Sequence, residues 1–186
     1  MKNIKGLTLI EVLITILVIS ILAGVAGPSF MDSFDRRKAA SAAEDLYSYI
    51  QLARSESLTR SVETNITFDV SGTTSWAFGI SEGTSCNLAS TTNSDAACVL
   101  NIDDGDGDDT DRSDDNVVFK VSSTDHKDIT MTLDKPDSIV FDPVRGTTTE
   151  TRNIKFTSVG KDITVQIGLL GNVRICSDDI GEYNAC

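Results

Sequence analysis

The chain has 186 residues, a formal net charge of −12, one His and four Cys, a length that suits one compact domain plus an extension. Hydrophobic residues make up 40%, which supplies a core and excludes a wholly disordered chain. The acidic total excludes a protein whose whole surface grips nucleic acid, because neutralising phosphates needs clustered Lys and Arg.

The first element is apolar. From Leu7 to Gly27 the chain reads LTLIEVLITILVISILAGVAG, with Thr8, Glu11, Thr15 and Ser20 as its only polar side chains. At 1.5 Å per residue this run spans about 31 Å, the thickness of a bilayer core. Lys2 and Lys5 precede it, so the N-terminus stays cytoplasmic and the rest is sent outward. A cleaved secretory signal is a competing reading, since Gly24-Val25-Ala26 imitates its cleavage site. Two features oppose it. A carboxylate such as Glu11 costs about 2.5–3.5 kcal/mol at the centre of a membrane helix. The run also flows into a helical pattern instead of a loop.

That pattern continues to about Arg60. Apolar or small residues recur at Phe30, Phe34, Ala39, Ala42, Leu46, Ile50, Ala53 and Ser57, mostly three or four apart, with charges between them. Together the two stretches predict one helix of about 53 residues and about 80 Å. Gly24, Gly27 and Pro28 predict a bend or melted turn within it.

After Arg60 the period changes to two. Strands are predicted at 64–70, 75–80, 116–121, 128–133, 138–142, 152–158, 162–170 and 172–176. Gly160-Lys161 and Gly171-Asn172 are predicted tight turns. One long helix followed by antiparallel strands gives an α+β fold.

Acid is concentrated in one place. Residues 101–116 hold eight Asp and one Arg, a local net of −7, whereas 32–60 is neutral. Asp104, Asp106 and Asp108 alternate, and Asp115 falls eleven residues after Asp104. An EF-hand loop needs Gly at its sixth position, where Asp109 stands, so that register fails. Two readings remain: a solvated, self-repelling acidic loop, or an irregular Ca²⁺ site, the one cofactor the chain suggests.

Four Cys in a chain exported to an oxidising space suggest two disulfides. Three connectivities exist. The local pairs Cys86–Cys98 and Cys176–Cys186 are preferred over crossed ones, each small loop contributing roughly 3 kcal/mol. Zinc does not fit the spacing or the single His. His126 lies in a polar loop without a nucleophile in motif spacing, and no G-x-S-x-G, P-loop or dinucleotide fingerprint occurs. No enzyme activity is expected. Trp76 reads as core or edge packing.

The start MKNIKGLTLIEVLITILVISILAGVAGPSF resembles a type IV pilin-like leader. In that family a peptidase cuts after a glycine, here Gly6, and N-methylates the new terminus, here Leu7, where the family usually has Phe. Glu11 then matches the family's fifth-residue glutamate, and Pro28 a helix-kinking proline. An unpaired carboxylate and a free ammonium are both costly in lipid. Glu11 of one subunit meeting the Leu7 amine of its neighbour offsets both costs and sets axial register. Farther on, Phe141–Gly146, Thr164–Ile167 and Gly171–Cys176 resemble one pilin branch: FimT/FimU-type minor pilins and pseudopilin H of type II secretion.

The resemblance implies a pilin fold with a leader at 1–6, a transmembrane and assembly helix at 7–28, a packed helix at 29–60 and a β-rich domain at 61–186. It implies a single-pass inner-membrane subunit with a periplasmic domain, later built into a pilus or pseudopilus. Its partners would be other minor and major pilins, the prepilin peptidase and an inner-membrane assembly platform. DNA is an alternative partner. Some relatives are thought to hold it through a Gly-Arg-x-Arg motif, matched here by Gly171, Asn172, Val173 and Arg174. Asn172 removes half of the positive pair; Arg145, Arg152, Lys155 and Lys161 are left as a candidate basic edge.

The Ca²⁺ reading predicts that Ca²⁺ raises the melting temperature, and that Asp106→Ala with Asp108→Ala abolishes the rise. No shift at millimolar Ca²⁺ removes the site.

Overall fold

The computed structural model describes residues 8–72, 74–90, 96–101, 116–135 and 138–186. Helix α1 spans Leu9–Arg60 as one element of 52 residues, about 78 Å long. Thr8 precedes it in an extended conformation and accepts backbone bonds from Glu11 and Val12. Ser61, in the left-handed conformation at φ 57°, ends it. The helix end is pinned by Arg60. Its guanidinium meets Glu56 and Glu82, each at 2.7 Å, and also bonds the Asn101 carbonyl.

Ten strands follow among the described residues, all paired antiparallel. They are β1 (Thr64–Val70), β2 (Trp76–Glu82), β3 (Val99–Asn101), β4 (Asn116–Val118), β5 (Lys120–Ser122), β6 (Thr130–Leu133), β7 (Ile139–Phe141), β8 (Arg152–Ser158), β9 (Lys161–Ile167) and β10 (Val173–Cys176). One sheet runs β5-β2-β1-β7, a second β10-β9-β8-β6, and β3-β4 forms a small ribbon. The distal half of α1 packs on both large sheets. Its seam is Ala39, Ala42, Ala43, Leu46, Ile50 and Ala53, all fully buried at helical spacing. Ser57 extends the seam and donates to the Phe141 carbonyl at 3.2 Å. Small side chains bring the helix close to the sheets. Phe78, Phe141 and Phe156 fill the core beyond it.

The predicted stripe is too long. Phe30 and Phe34 are 64% and 56% exposed. The sheets stop short of these turns; long side chains bridge the gap, Lys161 to Asp32 at 3.3 Å and Lys38 to Asp128 at 3.2 Å. The predicted strand 116–121 is two strands in different sheets. Phe119 lies between them, donating to the Cys98 carbonyl and accepting from Ile80, so the chain changes partners there. Strand β3 was unpredicted, because three residues carry no measurable period.

Two turns also differ. The β8–β9 loop is Val159-Gly160, one residue earlier than predicted, with φ of 44° and 76°. Both central residues of such a turn need positive φ, and Gly160 takes it without strain. The β9–β10 connection is a longer loop, 168–172, closed by Gly168 N–H to the Asn172 carbonyl at 2.9 Å. Gly171 is required there, because the Gly146 carbonyl occupies the space a Cβ would need.

The cysteines pair as Cys86–Cys98 and Cys176–Cys186. The first bridge lies against β2 at Gly79. A methyl group there would sit 2.7 Å from Cys98 Sγ and 2.8 Å from the Phe119 carbonyl oxygen. Gly79→Ala is therefore expected to cost about 1–3 kcal/mol, read as a lower urea midpoint of the detergent-solubilised chain. An unchanged midpoint would show that this contact yields freely.

Candidate assembly surface

Residues 9–26 of α1 are exposed along their whole length. From Leu9 to Val25 every large apolar side chain is exposed, from 44% at Val12 to 86% at Leu9. The apolarity runs all round the helix, which in water would be an aggregation surface. Lipid or neighbouring helices suit it. The hydroxyls there are satisfied within the helix: Thr15 donates to the Val12 carbonyl and Ser20 to the Ile16 carbonyl, both at 2.8 Å. Glu11 is the single ionisable side chain from residue 9 to residue 31. Gly6 and Leu7 lie outside the described residues. Gly24, Gly27 and Pro28 fall within the one continuous helix.

Of the basic residues considered for DNA, Arg152 is not part of an exposed edge. Arg152 is only 6% exposed; its guanidinium lies 3.4 Å from the Ser138 carbonyl and 3.8 Å from Glu150. The alternation along β8 turns Arg152 inward and Lys155 outward, since they are an odd number of residues apart. Lys155 is engaged by Asp162 at 3.1 Å and Lys161 by Asp32. Arg174 donates to Gln166 at 2.7 Å. Arg145 is exposed at the 142–146 turn. A hydroxyl bond from Thr157 at 2.6 Å and then Lys155 hold the Asp162 carboxyl below its ordinary value. Asp104, Asp106, Asp108 and Asp115 lie outside the described residues. Among the described residues no cluster of His, Cys, Asp or Glu is placed to hold a metal.

Two clamps on α1 were not anticipated. His126 lies flat against Trp76, ring centres 6.0 Å apart, and its Nε2 is 2.7 Å from Asp45 on α1. Trp76 is buried, as its sequence position predicts, and donates from Nε1 to the Ile129 carbonyl at 2.8 Å. The C-terminal tail, tied by Cys176–Cys186, brings the Tyr183 hydroxyl 2.7 Å from Glu44. The adjacent acids Glu44 and Asp45 on an otherwise small-residue stretch were the available signal. Nothing in the local sequence named their partners.

An exposed apolar helix, sewn by alanines onto an antiparallel β-domain, defines a type IV pilin-like subunit. The chain belongs to the family described as type II transport protein GspH, which matches residues 42–171. Residues 1–27 match the prokaryotic N-terminal methylation motif. The fold is shared with the type IV minor pilin FimU of Pseudomonas aeruginosa. A crystal structure of FimU aligns at 18% identity with a TM-score of 0.50, covering 75% of this chain and 89% of that one. A second crystal form aligns at 19% identity with a TM-score of 0.47, covering 73% and 90%. No curated protein matches in sequence.

Burial, and then the bond to Glu44, push the Tyr183 phenol up to about 12. Its folded value lies above its ordinary 10.0. The tail clamp is therefore at full strength below pH 10 and is lost as pH rises through about 12. Melting curves should show Tyr183→Phe less stable than the parent at neutral pH, with the gap closing as pH rises through this range. A gap independent of pH would place the stabilisation elsewhere.

Proposed function

We propose that this chain is a minor pilin, cut after Gly6, methylated on Leu7 and built into type IV pili through α1, where it primes assembly or sits near the tip. The observation that carries this is the exposed apolar half-helix with Glu11 as its one charge, inside a segment matching the methylation motif. Before assembly that helix holds the subunit in the inner membrane with its domain in the periplasm. In the filament, helices of other minor and major pilins replace lipid around it, and Glu11 meets the Leu7 amine of a neighbour. The prepilin peptidase and the assembly platform are its partners on the way. The role in this reading is that of a structural subunit.

A second reading is a pseudopilin H-like subunit of a type II secretion system, favoured by the description of the matching family. Deletion separates the two. Loss of pili and twitching supports the first, and loss of protein secretion with pili intact supports the second.

Mass spectrometry of the mature chain should find a methylated Leu7 at the N-terminus. Glu11→Ala should leave cleavage intact and cut incorporation into sheared filaments by at least about tenfold, since removing one partner of a buried ion pair costs about 3–5 kcal/mol. Normal incorporation of Glu11→Ala would refute the pairing.

A further inference from the structure

Two segments that resemble one pilin branch, 141–146 and 171–176, meet in the fold. The Gly146 carbonyl fills the space beside Gly171. Thr148 donates its N–H to the Leu169 carbonyl at 3.0 Å, and its hydroxyl reaches the Gly168 carbonyl at 3.2 Å. Helix α1 closes the joint, with Arg54 Nε donating to the Gly146 carbonyl at 3.1 Å. The Asp142 carboxylate fixes the first loop from within, accepting the Val144 and Arg145 N–H groups at 2.9 and 2.8 Å.

These bonds tie the loop backbones inward and leave apolar side chains outside. Val144 is 80% exposed, Leu170 71% and Leu169 53%. Leu58 of α1, beside Gly146, is exposed as well. Such a group of side chains is costly to leave in water. Its two loops are already held in place, so a partner loses little freedom in meeting it. Arg145, next to Val144, forms no ion pair among the described residues and supplies a polar rim.

Helix α1 identifies the neighbour that faces this patch. From Glu11 to Leu58 the helix is unbroken and makes about thirteen whole turns of 3.6 residues, so both side chains leave the same face of it. A subunit whose Leu7 amine meets Glu11 is displaced along the axis by four residues, about 6 Å. Its β-domain then stands beside this one, on the side of Leu58. Subunits repeated head to tail in a filament use the same unlike pair of surfaces at every step. A contact at Glu11 and a contact at the far end of the same helix face therefore belong to one neighbour.

We propose that Leu58, Val144, Leu169 and Leu170 form the part of the assembly interface that lies on the domain. They receive an apolar surface on the β-domain of the adjacent pilin-type subunit, the one whose N-terminal amine meets Glu11. An apolar helix packs against its neighbours at many rotations; this patch selects one. The proposal rests on the filament-subunit reading above.

The test places a photoreactive benzoylphenylalanine at Leu170 of the full chain, in cells that assemble the filament, and identifies the adduct by peptide mass spectrometry. The expected partner peptide comes from the β-domain of a chain with a methylated pilin-type N-terminus. Separately, Leu169→Asn/Leu170→Asn should cut incorporation into filaments by about tenfold, with cleavage, methylation and melting temperature as in the parent. Val144→Ser, on the other loop, should act in the same direction. The docking is overturned by an adduct only with lipid or with a protein outside the pilin class, or by no adduct at all. Normal incorporation of the loop variants, or a loss matched in both by a lower melting temperature, overturns it too. A parent chain neither methylated on Leu7 nor found in filaments overturns the subunit reading itself, and the docking with it.

Discussion

The apolar side chains from Leu9 to Val25 are left uncovered by the domain attached to them, and the rest of the molecule is organised around that fact. A helix satisfies its own backbone, so it can leave water without a sheet to complete it. Its two hydroxyls are turned onto its own carbonyls. Glu11 is the one ionisable side chain of this stretch, and no ion pair joins it to another described residue. The same surface suits lipid first and other helices later, because neither supplies hydrogen bonds and both supply packing.

The domain grips the other half of that helix firmly. An alanine-rich seam allows the sheets to come close, and polar clamps surround it: Arg60 at the end, His126 and Tyr183 on adjacent acids, Lys161 and Lys38 nearer the membrane half. The two disulfides lie where regular pairing is thin. One joins Cys86 to Cys98 beside β2, and the other holds the tail that carries Tyr183. A pull on the exposed helix is thus carried into both sheets.

Much of this was legible as pattern. Helical and alternating periods placed α1 to within two residues and the long strands β1 and β8 to the residue. The shorter strands were blurred or missed, because three residues show no period and their pairing is decided by distant partners. The basic residues show the same limit from the other side. Strand parity alone separates Arg152 from Lys155, but which acids neutralise Lys155, Lys161 and Lys38 depends on segments far away in the chain.

The sequence by itself determined that this protein has a long apolar helix with one internal carboxylate and a β-rich domain behind it. Those properties are local: hydrophobicity, period and the position of Glu11 are read without knowing any contact. Only the tertiary structure decided where the seam begins, that the chain switches sheets at Phe119, and that His126 and Tyr183 close on α1. Each of these is a meeting of residues distant in sequence, selected by where the two sheets end against the helix. Composition described an acidic chain; folding set several of its surface acids against lysines distant in the chain.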